Sequence, residues 1–423
     1  MKQKLKAYKG ITLVALIITI IVLLILAVVA ISAVSGNGIL NHAQNAKSSY
    51  LEAQTNEQTR LDEYSKYLDT ESSKINGGGA DGTTVKGSLN TVISTTDNTP
   101  LTDEYGNKIM LPAGFKILVD DTTNYTADNI NVTKGIVVED EEGNQFVWIP
   151  VREIKNTEKT KTINLERNTF GVGYITLATV NFENIKLSRV ENNYKVTSRV
   201  PEVGSNYKEA TKNETTANEH SKDIETFVSK ANSNGGYYIG RYEARVENYD
   251  TSNISTSNSD SSTDWTGYVA ESGKKLKLVS KANSQVWNYV TQLQASERCQ
   301  NMYTNKPYES DLVNSYAWDT AIIFFQEFGD NSTYASKKSV NSSLANTGTS
   351  GTIYTGEKDV ICNVYDMASN CYEWSTETYS SSSSPCTGRG GSYSSSGYFT
   401  SLRYGGSTSS AGAHYSFRPL LYM

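Results

Sequence analysis

Three groups of residues in this 423-residue chain have types and spacings that could do chemistry. The first is the set of four cysteines, Cys299, Cys362, Cys371 and Cys386. Outside the cytosol four thiols allow three disulfide pairings, and no spacing here matches a zinc site. The pairing expected is Cys371–Cys386, which would close a loop around a serine-rich run. The second group is the three histidines, His42, His220 and His414, too scattered to form a metal-ligand pair. The third is the stretch from Tyr379 to Ser416, in which 14 serines, 7 glycines and 5 tyrosines make up 26 of 38 residues. Rigid amphipathic tyrosines among small hydrogen-bonding residues make an adaptable recognition surface. The candidate contacts on it are Tyr393, Ser395, Tyr398, Arg403, Tyr404 and Tyr415. Arg389 and Arg418 have the planar fork that ties loops through paired bonds to carboxylates.

The elements that must position these residues follow from composition and pattern. A length of 423 residues exceeds what one core usually supports. A net charge of −6 gives no general attraction for phosphate and argues against nucleic-acid binding. At the N-terminus Lys2, Lys4, Lys6 and Lys9 precede an apolar stretch running from Ile11 to about Val34. No Asp, Glu, Lys or Arg lies between Lys9 and Lys47. At 1.5 Å per residue this stretch reaches roughly 35 Å as a helix, enough to cross a bilayer. The lysines hold its start in the cytoplasm and send the rest outward. A cleaved secretory signal and a plain single-span anchor are both compatible with part of this pattern.

Lys9-Gly10 followed by Ile11-Thr12-Leu13-Val14 and an unbroken aliphatic helix resembles a type IV prepilin. The resemblance covers about the first 70 residues. It implies a leader over 1–10, a cut by a prepilin peptidase between Gly10 and Ile11, and N-methylation of the new terminus. It also implies a transmembrane, pilin-like helix over 11–76, partnered by the membrane and by other pilin subunits. Mature pilins of this type carry Glu at their fifth residue, where Ala15 stands here. That substitution suits a minor or tip position, since an unpaired ammonium in lipid is costly. A glycine-rich linker is expected over 77–115. Polar insertions are expected from Arg152 to about Asp223 and from Asn248 to Asp264.

Beyond the linker, short β-rich runs predict strands at Lys116–Val119, Gly135–Val138, Phe146–Val151 and Gly236–Arg241. Apolar spacing predicts helices over Ser284–Tyr303 and Leu312–Phe328. In the run Tyr372-Glu373-Trp374 the carboxylate faces away from its aromatic neighbours if the segment is a strand.

Five fragments occur in a telling order. They are Phe146-Val147-Trp148-Ile149-Pro150-Val151, Gly235-Gly236-Tyr237-Tyr238-Ile239-Gly240-Arg241-Tyr242-Glu243 and Asn363-Val364-Tyr365-Asp366-Met367-Ala368-Ser369-Asn370-Cys371-Tyr372-Glu373-Trp374. Arg389-Gly390-Gly391-Ser392-Tyr393 and Phe417-Arg418-Pro419 complete the set. Together they resemble the formylglycine-generating enzyme (sulfatase-modifying factor) domain, a variant of the C-type lectin fold. The resemblance spans 116–423 and implies an α+β, loop-rich lectin-like head after the N-terminal helix. It also implies a calcium ion held by the side chains of Asp366 and Glu373 and the carbonyls of Ser369 and Cys371. Hard oxygen donors of that kind suit Ca²⁺. The oxidase of this family needs a cysteine pair just after its Gly-Gly-Ser motif, and Ser392–Arg403 contains none. Serine hydroxyls do not replace thiolates for Cu(I). The lectin-type relatives include the variable proteins of diversity-generating retroelements, which display changing residues on the C-terminal surface. The expectation is a non-catalytic head on the cell membrane and extracellular surface, or on a pilus, binding a glycan or protein ligand.

Overall fold

The computed structural model describes residues 17–27, 84–168, 170, 207–209, 224–254, 268–337, 359–379, 386–393 and 398–423. The chain divides into two compact units, Met1–Ala80 and Asp81–Met423. In the first unit residues 17–27 are α-helical, and the large aliphatic side chains from Ile17 to Leu26 are all exposed. Among the described residues no helix is long and apolar enough to cross a membrane. Gly10, Ile11 and most of the expected 11–76 helix lie outside the described residues.

The second unit is α+β, and its two largest sheets among the described residues have six and five strands. In the central six-stranded sheet the order is Glu309–Leu312, Pro419–Tyr422, Gly236–Gly240, Gln145–Pro150, Val137–Glu139 and Lys116–Ile117. Every neighbouring pair is antiparallel. Phe146, Val147, Trp148 and Ile149 are each fully buried, so this strand reads as a continuous apolar run rather than an alternating one. Helix Ile224–Asn234 packs on the sheet through Phe227, whose ring meets Tyr237 at 5.4 Å and Tyr422 at 5.3 Å. Helix Ser315–Phe328 is tied to it by the Tyr237 hydroxyl, which donates to the Ala317 carbonyl at 2.6 Å.

Several expected boundaries move. The helix expected from Ser284 begins at Gln292, because Thr291 and Gln294 form a reciprocal capping box. Gln285–Val286 before it is a strand instead. The helix expected from Leu312 begins at Ser315, where the Asn314 side chain caps the Ala317 amide. Residues Glu309–Leu312 are drawn into the central sheet. The expected linker is corrected over most of its length. From Thr84 onward it is folded, with a hairpin of Thr99–Thr102 and Lys108–Leu111. Leu101, Ile109, Leu111 and Phe115 from this stretch join the core. The alternation Lys108-Ile109-Met110-Leu111 buries one side of that strand. In the expected insertion after Arg152, residues Arg152–Lys155 and Thr160–Ile163 pair as a further hairpin.

Two hairpins share one turn. In Asp103-Glu104-Tyr105-Gly106-Asn107 and Asp140-Glu141-Glu142-Gly143-Asn144 the aspartate side chain accepts from the amides two and four residues on. It also accepts from the asparagine side-chain amide at 2.8 Å in both turns. The glycines sit at φ 79° and 82°, the left-handed region that a side chain disfavours.

Gly390 joins two segments of the head and shows the same constraint more sharply. Its φ is +79°, and a Cβ there would lie 2.4 Å from the Met367 carbonyl oxygen. Gly390→Ala is expected to cost roughly 2–4 kcal/mol, read as a lowered midpoint in urea unfolding with an unchanged slope.

Candidate binding site

The second sheet carries the residues that the C-terminal sequence brings forward. Its order is Arg403–Gly406, Cys386–Arg389, Tyr372–Tyr379 and Tyr415–Phe417, with Tyr207–Glu209 pairing the far end of Tyr372–Tyr379. Tyr415–Phe417 runs parallel to Tyr372–Trp374, and the other pairs are antiparallel. Directly paired residues share a face, and alternate residues along a strand do too. The register therefore sorts the sheet into two chemistries. Glu373, Arg389 and Arg403 share one face. Tyr372, Trp374, Gly388, Tyr404 and Tyr415 share the other.

The charged face is buried against helix Ser315–Phe328. Arg389 donates to Glu377 at 3.1 Å and to Asp319, on that helix, at 2.5 Å. Arg403 donates to Glu377 at 2.8 Å and to Asp319 at 2.5 Å. Arg167 reaches the same Glu377 at 2.6 Å across 210 residues of sequence. Asn168 closes the arrangement, its amide donating to Asp319 and its carbonyl accepting from Arg403. The side chains of Asp319, Glu377 and Arg389 are fully buried. Burial pushes the Glu377 carboxyl up, but the guanidiniums of Arg403, Arg167 and Arg389 outweigh it and hold the group at about 2. A charge at this depth persists because each partner is paired and hydrogen-bonded.

A second buried group lies beside the Asp366–Trp374 motif. Arg418 grips Glu373 with a bidentate pair, Nε to Oε2 at 2.8 Å and Nη2 to Oε1 at 2.5 Å. The Cys371 amide donates to Glu243 at 2.9 Å, and the Asn370 side chain donates to the same carboxyl. Burial, with Glu373 and Asp366 adding to it, pushes the Glu243 carboxyl well above its ordinary range. Asp366 accepts from the Ser369 hydroxyl at 3.0 Å.

Both Glu373 oxygens accept from the Arg418 guanidinium, which places a cation beside the calcium donors expected at Asp366, Ser369, Cys371 and Glu373. Among the described residues no three His, Cys, Asp or Glu side chains are gathered to hold a metal ion.

The other face of the sheet is aromatic. Tyr372 sits at its centre, with Tyr404 stacked on it at 5.5 Å and 4° between planes. Tyr398, Tyr415 and His414 surround Tyr372 at 5.6, 5.6 and 5.7 Å. Beneath them Trp374 stacks on Tyr415 at 4.4 Å and 3°, and its indole N–H donates to the Val290 carbonyl at 2.8 Å. Tyr398, Tyr404 and His414 are half-buried, while Tyr372, Trp374 and Tyr415 are buried. The result is a rigid aromatic floor with a partly open rim. Offset and edge contacts of this kind add attraction beyond area alone.

Of the ligand contacts expected from sequence, the fold thus brings Tyr398, Tyr404 and Tyr415 together. Tyr393 lies in a separate small apolar cluster with Val286 and Cys371. Arg403 is corrected: it is a member of the buried charged face, with 5% of its surface exposed. Ser395 lies outside the described residues. The expected Cys371–Cys386 bridge is corrected too, since all four cysteines are buried free thiols. Cys386 pairs with Thr378, seven residues along the chain from Cys371. At about 3.3 Å per residue that offset is roughly 20 Å, and a disulfide needs Cα atoms about 4.4–6.8 Å apart. Burial pushes the Cys386 thiol up to about 12. Sequence reasoning did not place Tyr372 or His414 among the ligand contacts and did not single out Asp319, Glu377 or Arg167. Only Tyr372 and His414 carried a local signal, as aromatic residues beside chosen ones.

No family model matches the chain, and no curated protein matches it. Among solved structures it is similar to Treponema denticola variable protein 1, with 14% identity over 45% of this chain and 85% of that one, at a TM-score of 0.27. It is also similar to CarF, with 16% identity over 44% of this chain and 86% of that one, at a TM-score of 0.23.

Glu377→Gln removes one of two carboxylates facing three guanidiniums and is expected to cost roughly 3–5 kcal/mol. Because the folded pKa of Glu377 lies below the unfolded 4.5, its contribution is present above that value and is lost as pH falls toward 2. Unfolding free energy of the parent chain should therefore drop across pH 4.5 to 2. In Glu377→Gln the same titration should be shallower. An equal slope in both chains would show that Glu377 is not held ionised by the arginines.

Proposed function

We propose that this chain is a membrane-tethered cell-surface protein whose C-terminal head recognises a ligand and performs no bond chemistry. The observation that carries the reading is the aromatic floor: three tyrosines from three separated segments, Tyr372, Tyr404 and Tyr415, meet on one sheet face with half-buried rings at the rim. A stacked, preformed surface loses little freedom on binding, which is what recognition needs. The buried ions on the opposite face hold the strands in register and keep the rings in place. The non-catalytic reading rests on the absence of cysteine from Ser392–Arg403.

The N-terminal segment is read as type IV pilin-like, cut between Gly10 and Ile11, with the membrane, other pilin subunits and a prepilin peptidase as its partners. Its support is the lysine-led apolar run and the exposed aliphatic helix at 17–27. Ala15 favours a minor or tip position, and it equally favours the second reading, a plain single-span anchor.

Two measurements test these readings. Mass spectrometry of the protein recovered from its native membrane should find a mature chain beginning at methylated Ile11; an intact Met1 would leave the plain anchor. For the head, fluorescently labelled full-length protein in detergent should bind intact cells. Tyr404→Ala and Tyr398→Ala should each lower that binding roughly tenfold, about 1.4 kcal/mol, with melting temperatures close to the parent's. Undiminished binding by both variants would remove the aromatic floor as the site.

A further inference from the structure

The proposed reading leaves the chemical class of the ligand open, and the floor itself narrows it. From Gly390 to Ser416 the sequence contains a single formally charged residue, Arg403. Its guanidinium is turned inward onto Glu377, Asp319 and the Asn168 carbonyl. This whole stretch therefore presents no charged side chain outward among its described residues. Phosphate, sulfate and carboxylate ligands are held by arginine forks or lysine ammoniums, and this stretch turns none outward.

The same stretch also lacks exposed aliphatic anchors. Its two large apolar side chains that are not tyrosine, Phe399 and Leu402, are 1% and 3% exposed. A protein partner is usually held by a dry apolar centre with arginine and aromatic anchors. What this surface offers instead is flat rings and hydroxyls. Tyr404 lies parallel on Tyr372, Tyr398 flanks both at 5.6 and 6.2 Å, and Ser407, Thr408, Ser409 and Ser410 follow Tyr404 after two glycines. Ser407 and Ser410 already hydrogen-bond each other at 3.1 Å, which fixes that hydroxyl-bearing turn.

We propose that the ligand is an uncharged glycan. The C–H face of a neutral pyranose stacks on a tyrosine ring, and its hydroxyls exchange hydrogen bonds with tyrosine and serine side chains. Neither contact needs a metal ion or a formal charge. The inference rests on the recognition reading above and adds the ligand class to it.

The test uses labelled full-length protein in detergent and intact cells in four states: untreated, oxidised with mild periodate, treated with protease, and treated with neuraminidase. Periodate cleaves vicinal diols and should lower binding roughly tenfold. Neuraminidase removes acidic sugars and should leave binding unchanged, as should 0.5 M NaCl, because screening acts on charge. The periodate-sensitive part should be the part that Tyr404→Ala loses. Binding that survives periodate and disappears with protease overturns the glycan inference and leaves the recognition reading standing. Binding lost to neuraminidase or to salt overturns neutrality. No binding to untreated cells overturns both readings together.

Discussion

A buried balance of charge on one side of a single sheet sets the rest of the head. Asp319 and Glu377 are shared among Arg389 and Arg403, on neighbouring strands, and Arg167, from a distant part of the chain. Arg389 and Arg403 each bridge both carboxylates, which allows little slippage. A strand moved by one residue would turn its arginine toward the aromatic side and leave both buried carboxylates one cation short. The ionic face thus specifies the register, and the register decides which tyrosines meet on the opposite face. Helix Ser315–Phe328 belongs to the same constraint, since it delivers Asp319.

Much of the outer architecture was legible in the sequence because its signals are local. Tyr372-Glu373-Trp374 alternates, and the structure separates Glu373 onto Arg418 and the two rings onto the aromatic face. The strands around Phe146 and Gly236 follow from β-rich runs bounded by turn residues. The ionic face was not legible. Arg167 and Glu377 lie 210 residues apart and Asp319 sits within a helix, so no spacing rule joins them. Between Ser375 and Thr378 the pairing with Cys386–Arg389 also shifts register, a bulge that simple alternation does not foresee. Arg403 was placed outward for the same reason: its local context is serine and glycine, and its partners are far away.

The serine- and glycine-rich composition reads differently once the packing is known. A Cβ at Gly406 would lie 2.5 Å from the Trp374 ring, and one at Gly388 would rest 3.6 Å from both Tyr372 and Tyr415. Gly406 leaves room for the Trp374 ring, while a Cβ at Gly388 would make only ordinary contact. Low side-chain volume on one strand and large aromatic volume on the next are two halves of the same packing. The region resembles a low-complexity loop only while its partners are out of view.

The placement of Pro419–Tyr422 carries a temporal consequence. This strand lies inside the central sheet, between Glu309–Leu312 and Gly236–Gly240, and its neighbour Arg418 holds Glu373. Leu420 pairs with Ile239 across most of the head's length. Contacts so distant in sequence close slowly. A chain emerging amino-end first cannot complete its middle layer until this strand arrives. Ribosomal stalling before it, or proteolytic clipping within it, would leave a gap in the interior.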